Sequence, residues 1–260
     1  TDNIVIAIFR GPGSVSSYAV AYNLMFNMTY LASVISETIF PRFSSLYALD
    51  EKQTLRDIFV ATTKLSSGIG SIIALLLLLE GTNFLNLWVG ESHTIDEITL
   101  IMFALMSIIH TAFTPAGLML QGIGENKGFT ISETTNAIIN IALSIILVIK
   151  FDVWGVAAAT LISHILTSSW VVPLLASKHI NQPIGKYFIQ GILKPIILIL
   201  PTLATRQFLD TILPVQNIPM EICITFCTII LVYVPLFYLF ALTKEERIKY
   251  KEYTLAVIKK

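Results

Sequence analysis

Polar and ionisable side chains lie inside long apolar stretches of this 260-residue chain. Such groups are costly in hydrocarbon, so each is expected to face the interior of a helix bundle or a water-filled cavity. There they could bind a polar or charged ligand on its way through a membrane. The candidates are Asp2, Glu37, His110, Glu133, Asn136, Asn140, His164 and Lys194. Glu37, Glu133 and Lys194 are close enough to the ends of their stretches to reach the membrane surface instead.

Two further sets of residues recur at intervals of four positions, which places each set on one face of a helix. The first set is Asn136, Asn140 and Ser144, and the second is Gly155, Ala159 and Ser163. Small residues let membrane helices approach closely, and asparagine or serine side chains form hydrogen bonds between helices. We expect both faces to pack against neighbouring helices.

The sequence contains few other groups that could do chemistry. Its four histidines are dispersed and its two cysteines cannot complete a metal shell, so we predict no metal site and no cofactor. There is no serine-nucleophile motif and no large charged outer loop of the kind that membrane glycan polymerases and ligases need, so we predict no enzymatic activity. With 17 basic and 17 acidic residues, the charge balance does not favour nucleic acid as a partner.

The composition predicts an all-α, polytopic membrane helix bundle. Hydrophobic residues make up 55% of the chain, charged residues 13%, and the mean hydropathy is +0.76. A membrane-spanning helix needs roughly 20 mostly apolar residues, and seven blocks meet this requirement or come close to it. They are Tyr18 to Phe40, Leu65 to Leu79, Ile98 to Leu120, Phe129 to Ile149, Val153 to Ala176, Phe188 to Thr205, and Met220 to Leu242.

Three flanking segments complete the predicted organisation. The first ten residues are apolar but reach only about half way across a bilayer, so we interpret them as the end of an eighth helix in a fragment of a longer protein. Residues 43–64 mix apolar and charged side chains, which favours an amphipathic helix on the cytoplasmic surface, with a solvated connector as the alternative. Residues 1–242 then form the transmembrane lobe, and residues 243–260 form a basic tail.

The distribution of Lys and Arg predicts the orientation. Every second connection between the predicted spans is basic, including the tail, whereas the alternate connections contain only Arg10, Lys150 and Arg206. By the positive-inside rule, the C-terminus is expected in the cytoplasm and the protein in the inner (plasma) membrane.

A series of landmarks resembles a known family of membrane transporters. These are TDNIVIAIFRGPGSVSSYAVAYNL, ETIFPRFSSLYA, NLWVG, LMLQGIGENKG and NAIINIALSIILVIKFDVWGVAAATLISH. Their order and spacing over nearly the whole chain resemble the C-terminal half of polysaccharide and oligosaccharide flippases, of the O-antigen and teichoic-acid type, in the multidrug/oligosaccharidyl-lipid/polysaccharide exporter superfamily. The resemblance implies the C-terminal lobe of a two-lobed transporter with fourteen helices around a central cavity.

The resemblance also implies a substrate and a set of partners. The substrate would be an oligosaccharide linked through pyrophosphate to a polyprenol, moved to the outer leaflet by alternating access, and the partners would be membrane lipids and the N-terminal lobe of the same protein. Arg10 and Arg42, at opposite ends of the span from Tyr18 to Phe40, would then be substrate-pathway residues, with Asp2 and Glu37 as their counter-charges. For each arginine the alternative is an interfacial anchor.

Other functions remain open on the sequence alone. A multidrug exporter of the same superfamily would share the architecture. A membrane glycan polymerase or ligase, or a passive structural bundle, is less favoured by the residues present.

Overall fold

The computed structural model describes residues 1–90, 95–215 and 217–248. Within these ranges the chain forms helices and short connections and no strand, which confirms the predicted all-α membrane helix bundle. The helices are α1 (Asp2–Arg10), α2 (Pro12–Ala48), α3 (Lys52–Val89), α4 (Glu97–Gly122), α5 (Asn126–Leu166), α6 (Ser168–His179), α7 (Ile184–Ile212) and α8 (Ile218–Ala241).

Five helical segments of the described chain are long and apolar enough to cross a membrane. They are Lys52–Val89, Glu97–Gly122, Asn126–His179, Ile184–Ile212 and Ile218–Ala241. Five of the seven predicted spans lie within single helices, although the first of these lies in α2, which is 37 residues long but is not among the five segments. The span Val153 to Ala176 continues from α5 into α6, and the span Met220 to Leu242 extends one residue beyond α8.

Helix α5 turns back on itself at Asp152, whose backbone has φ 59° and ψ −148°. Two hydrogen bonds show the reversal, because Asn136 binds His164 and Asn140 binds Thr160, residues 28 and 20 positions apart. The sequence FDVWG therefore separates two antiparallel arms, residues 126–151 and 153–166. The two spans predicted on either side of FDVWG correspond to these arms, the second of which continues through α6.

The separate helix expected over residues 43–64 is not formed. Helix α2 continues through Pro41 to Ala48, the chain turns at residues 49–51, and α3 begins at Lys52. The apolar residues of this segment are buried inside the bundle, since Phe43, Leu55 and Phe59 are fully inaccessible to solvent. They form one core cluster with side chains from α4, α6 and α7, whereas charged residues of the segment such as Asp57 remain exposed. Of the tail predicted over residues 243–260, residues 249–260 lie outside the described part.

Helix α3 is the central element of the packing. It contacts α2 and α4 on one side and α7 and α8 on the other. The hydroxyl of Ser67 donates to the carbonyl of Gly191 in α7, and the hydroxyl of Tyr233 in α8 donates to the carbonyl of Gly68 at 3.2 Å. Helix α1 packs against α2 and α5, so the far side of the bundle brings together α1, α2 and the two arms of α5.

Candidate functional site

A polar cavity of about 300 Å³ lies between α1, α2 and the two arms of α5. Its lining combines a carboxylate, amides, hydroxyls, phenols and an imidazole in a region of otherwise apolar helices. The residues that line it are Thr1, Asp2, Asn3, Tyr18, Tyr22, Asn136, Ala137, Asn140, Thr160 and His164. We call it the polar cavity.

The carboxylate of Asp2 joins the three helical elements around this cavity. Its Oδ2 accepts a hydrogen bond from the Tyr18 hydroxyl at 2.9 Å and one from the Thr160 hydroxyl at 3.1 Å. The Asn140 amide in turn donates to the Thr160 oxygen at 2.8 Å. The structure thus brings together two of the predicted residues, Asp2 and Asn140, through the hydroxyl of Thr160, which was not among the predicted residues.

The depth of the polar cavity follows from helix geometry. Asp2 is eight residues from Arg10, or about 12 Å along α1, and Asn140 is twelve residues from the break at Asp152, or about 18 Å along α5. Measured along these helices, the polar cavity therefore lies about 12–18 Å from the end of the bundle that carries Arg10 and Asp152.

His164 separates the polar cavity from a second cavity of about 210 Å³, which it also lines. The second cavity contains His110 and Glu133, so three of the predicted polar candidates border it. Nδ1 of His110 and Oδ1 of Asn136 are buried and have no hydrogen-bond partner within the described residues. Each cavity is therefore bordered by a residue with a buried polar atom that has no partner within the described residues.

Arg10 does not point into the polar cavity. Its Nε lies 3.0 Å from Oδ1 of Asp152, and its Nη2 donates to the carbonyl oxygens of Val148 at 2.6 Å and Ile149 at 3.3 Å. These carbonyls lie in the last turn of the first arm of α5. The arginine therefore joins α1 to the end of this arm, and its carboxylate partner is Asp152 rather than the expected Asp2.

Glu37 and Arg42 do not form the expected pair either. Glu37 accepts a hydrogen bond from the Ser33 hydroxyl at 3.3 Å and is otherwise exposed. Arg42 is exposed at the opposite end of the bundle from Arg10 and lines a large charged crevice there. Lys194 lies exposed on α7. The four predicted pathway residues are thus distributed over separate places.

The residues at four-position spacing all lie at helix contacts, with different consequences. Gly155 is buried where a β-carbon would collide with the carbonyl of Leu147, so a larger residue would push the two arms of α5 apart. Ala159 and Ser163 are completely buried on the same arm. Asn136 and Asn140 each bind the opposite arm, as expected for hydrogen bonds between helices, but the buried Ser144 hydroxyl has no partner within the described residues.

A buried charged cluster joins α3 to α7 and α8. Arg206 lies 3.5 Å from Glu80, also pairs with Asp210, and donates from Nε to the Thr225 hydroxyl at 2.8 Å. The hydroxyl of Thr225 in turn donates to Glu80. Glu80 directly follows five leucines, and a carboxylate in that position indicates a buried charge. Arg206 gave no such indication, because the sequence placed it in a connection between two predicted spans.

The side chains around the polar cavity can form hydrogen bonds with a ligand or with water. The described residues contain no group of three or more His, Cys, Asp or Glu side chains that could hold a metal ion. The polar cavity instead presents donors and acceptors of several kinds within one small volume. Such a lining fits hydroxyl groups or ordered water molecules.

Comparison with known proteins finds a partial similarity to a glycan biosynthesis flippase. Over 163 residues the chain is 23% identical to the probable low-salt glycan biosynthesis flippase Agl15 of Haloferax volcanii. The match covers 62% of this chain and 34% of that protein, so it spans about a third of the relative's length. No family model and no solved structure matches the chain. The chain is a multi-pass membrane helix bundle that is similar, over part of its length, to a glycan flippase.

Proposed function

We propose that the protein containing this chain is a flippase for lipid-linked oligosaccharide. It would move an oligosaccharide linked through pyrophosphate to a polyprenol from the cytoplasmic to the outer leaflet, for the synthesis of surface polysaccharide. The similarity to a glycan flippase carries the proposal. The polar cavity supports it, because a glycan headgroup needs hydrogen-bond partners wherever it leaves bulk water.

The proposed mechanism is alternating access. The chain would form the C-terminal lobe of a two-lobed transporter with fourteen helices in the plasma membrane, and its C-terminus would lie in the cytoplasm. The lobes would enclose the headgroup while the polyprenol tail stays in lipid. No covalent step is needed, so the protein would act as a transporter and not as an enzyme.

The residues of the polar cavity would act as a polar wall of the route. Asp2 and Asn140 supply a carboxylate and an amide, and Thr160 holds both in place. Sugar hydroxyls can donate to the carboxylate and accept from the amide. We therefore assign the headgroup contacts of this lobe to the polar cavity, and the membrane-surface contacts of the lobe to Arg42.

Export by cells that carry substituted proteins tests the proposal. The gene would be deleted in its host and restored as wild type, as Thr160→Val, or as the matched control Thr205→Val. Thr205 is a half-buried threonine of α7 whose hydroxyl, within the described residues, bonds only to the Pro201 carbonyl of its own helix. We expect the deletion strain to retain lipid-linked oligosaccharide in the cytoplasmic leaflet. At expression equal to wild type, we expect Thr160→Val to give less surface polysaccharide than wild type and Thr205→Val to give the wild-type amount.

The same strains separate flippase activity from drug export. If the deletion leaves surface polysaccharide and the leaflet distribution of the lipid-linked oligosaccharide unchanged, the proposal is wrong. If the deletion instead raises drug sensitivity, the multidrug exporter of the same superfamily replaces it.

A further inference from the structure

A charged crevice of about 740 Å³ opens where α2 ends and α3 begins, bordered also by α7 and the residues after α8. Its volume is in the range of small-molecule binding sites. The charged residues that line it are Arg42, Asp57, Lys186, Lys244, Glu245 and Glu246. We call it the charged crevice.

A buried ammonium group lies directly behind this crevice. The side chain of Lys64 is only 1% exposed, and its Nζ contacts both carboxylate oxygens of Glu246, at 2.6 and 2.8 Å. Glu246 lines the crevice, whereas Lys64 does not. The Glu246 carboxylate therefore separates a buried cation from the crevice, and within the described residues it is the only partner of that cation.

Glu246 comes from the short helical stretch 244–248 that follows α8. The Thr243 N–H donates to Glu246 Oε2 at 2.6 Å and the Glu246 N–H donates to the Thr243 hydroxyl at 3.3 Å, which makes a capping box. Burial by itself would raise the pKa of the Glu246 carboxyl. The hydrogen bonds from Lys64 and Thr243 and the charge of Lys64 outweigh burial and lower this pKa. Glu246 is thus an anion bound at the wall of the crevice.

Among the residues that the structure describes, the remaining charges of the crevice leave two cations without a partner. Lys186 lies 3.5 Å from Asp57, which partly neutralises it. Arg42 and Lys244 are both exposed and have no hydrogen bond or ion pair within the described residues. Arginine and lysine together form the usual surroundings of phosphate groups, since the guanidinium binds two oxygens at once and the ammonium acts as a point charge.

We propose that the charged crevice binds a phosphate- or pyrophosphate-bearing group, whose oxygens displace the Glu246 carboxylate from Lys64 and also contact Arg42. Glu246 then acts as an internal competitor that keeps Lys64 neutralised until the ligand arrives. The inference rests on the proposed function for the natural ligand, which would be the pyrophosphate of the lipid-linked oligosaccharide. It adds a second contact region, at the end of the bundle opposite to Arg10.

Binding of inorganic pyrophosphate to the purified full-length protein tests this inference. Glu246→Gln removes the competing charge, and glutamine retains the capping box. Glu245→Gln is the matched control, because it removes a neighbouring carboxylate from the same crevice without uncovering Lys64. We expect Glu246→Gln to bind pyrophosphate about tenfold more tightly than wild type and Glu245→Gln to change the affinity much less. Lys64→Met combined with Glu246→Gln is expected to lose the gain.

Thermal unfolding in the same samples guards against loss of folding. Glu246→Gln leaves Lys64 without a counter-charge, so we expect a lower Tm that pyrophosphate restores and that chloride at equal ionic strength does not. The double variant should show no such recovery. Equal affinities for Glu246→Gln and Glu245→Gln, or tight binding by the double variant, would overturn the inference.

Vesicles distinguish the two sources of the phosphate group. If Glu246→Gln binds vesicles of phosphatidate in preference to vesicles of phosphatidylcholine, the ligand is a lipid headgroup. If it binds pyrophosphate but shows no such preference between vesicles, the ligand is a free phosphate compound. Export is measured separately. Normal export with no pyrophosphate binding would reject the binding site in the crevice but not the proposed flippase function. Pyrophosphate binding with no export defect in the deletion strain would reject the flippase function but not the binding site.

Discussion

Arg10 and Asp152 form an ion pair, Nε to Oδ1 3.0 Å, that joins the end of α1 to the break in α5. The same guanidinium binds the last carbonyls of the first arm, at Val148 and Ile149. One side chain therefore stabilises a helix end, neutralises the carboxylate at the break and places α1 beside α5. Because α1 also carries Asp2, this contact sets the position of the polar cavity.

The first prediction concerns how much the ion pair and the hydrogen bonds of Arg10 each contribute to the free energy of unfolding. The side chains of Arg10 and Asp152 are 32% and 63% exposed, so the ion pair itself should contribute only about 0.2–1 kcal/mol. Hydrogen bonds from a charged donor contribute about 1.5–3 kcal/mol. We therefore expect Arg10→Gln to lower the free energy of unfolding more than Asp152→Asn does, as measured by denaturant titration of the purified protein. Lys150→Gln, which removes an exposed positive charge from the same end, is the control and should have little effect; equal losses in all three variants would contradict the prediction.

The second prediction concerns the backbone at Asp152. Its φ of 59° and ψ of −148° lie in a region that suits glycine and strains other residues. Asp152→Gly and Asp152→Ala both lose the ion pair, but only glycine relieves the strain. We expect Asp152→Gly to be more stable than Asp152→Ala by about 1–2 kcal/mol, measured by the same titration. A less stable glycine variant would show that the break does not have this conformation.

The break in α5 was predictable from the sequence, but the partner of Arg10 was not. The apolar run stops at FDVWG and resumes after it, and this local signal was sufficient to predict two spans. The partner of Arg10 depends on how two helices far apart in the chain pack together, which periodicity does not determine. The same reason explains why Thr160 was missed, since its role comes from contacts with Asp2 and Asn140 on other helical segments. Residues 43–64 were expected to form a separate helix because they mix charged and apolar side chains, but they belong to the ends of α2 and α3, and their apolar side chains pack with α4, α6 and α7.

The third prediction concerns the network around Asp2. Thr160→Val removes the hydroxyl that links Asp2 with Asn140, and Asp2→Asn removes the charge at the same point. Because the two residues share one hydrogen bond, their effects on stability should be non-additive, with a coupling of about 0.5–3 kcal/mol in a double-mutant cycle. A cycle of Asp2→Asn with Thr205→Val is the control and should be additive. Additivity in both cycles would mean that the hydrogen bond does not contribute.

The fourth prediction concerns pH and the contact between Lys64 and Glu246. The pKa of Glu246 is lowered from its ordinary value of 4.5 in the folded protein. A carboxylate whose pKa is lower in the folded state stabilises that state above the unfolded-state pKa and loses the contribution as pH falls through the folded-state pKa. We expect wild type to lose stability relative to Glu246→Gln as pH is lowered through and below 4.5, measured as the difference in Tm. A constant difference between pH 7 and pH 3 would contradict the expected ionisation.

The last prediction concerns the cluster of Glu80 and Arg206, whose side chains are only 4% and 6% exposed. Removing one member of a buried pair leaves an uncompensated charge and typically costs about 3–5 kcal/mol, whereas replacing both members costs much less. We expect Arg206→Met to be strongly destabilising, and Glu80→Gln together with Arg206→Met to recover a large part of the loss. Asp210, which is half exposed and also pairs with Arg206, supplies the control, since Asp210→Asn leaves the Glu80 contact in place and should cost less than Arg206→Met. A double variant no more stable than Arg206→Met would show that Arg206 acts through packing rather than through the charge of Glu80. Because this cluster joins α3 to α7 and α8, the single variant should also separate these helices, and limited proteolysis near residues 213–217 would detect that change.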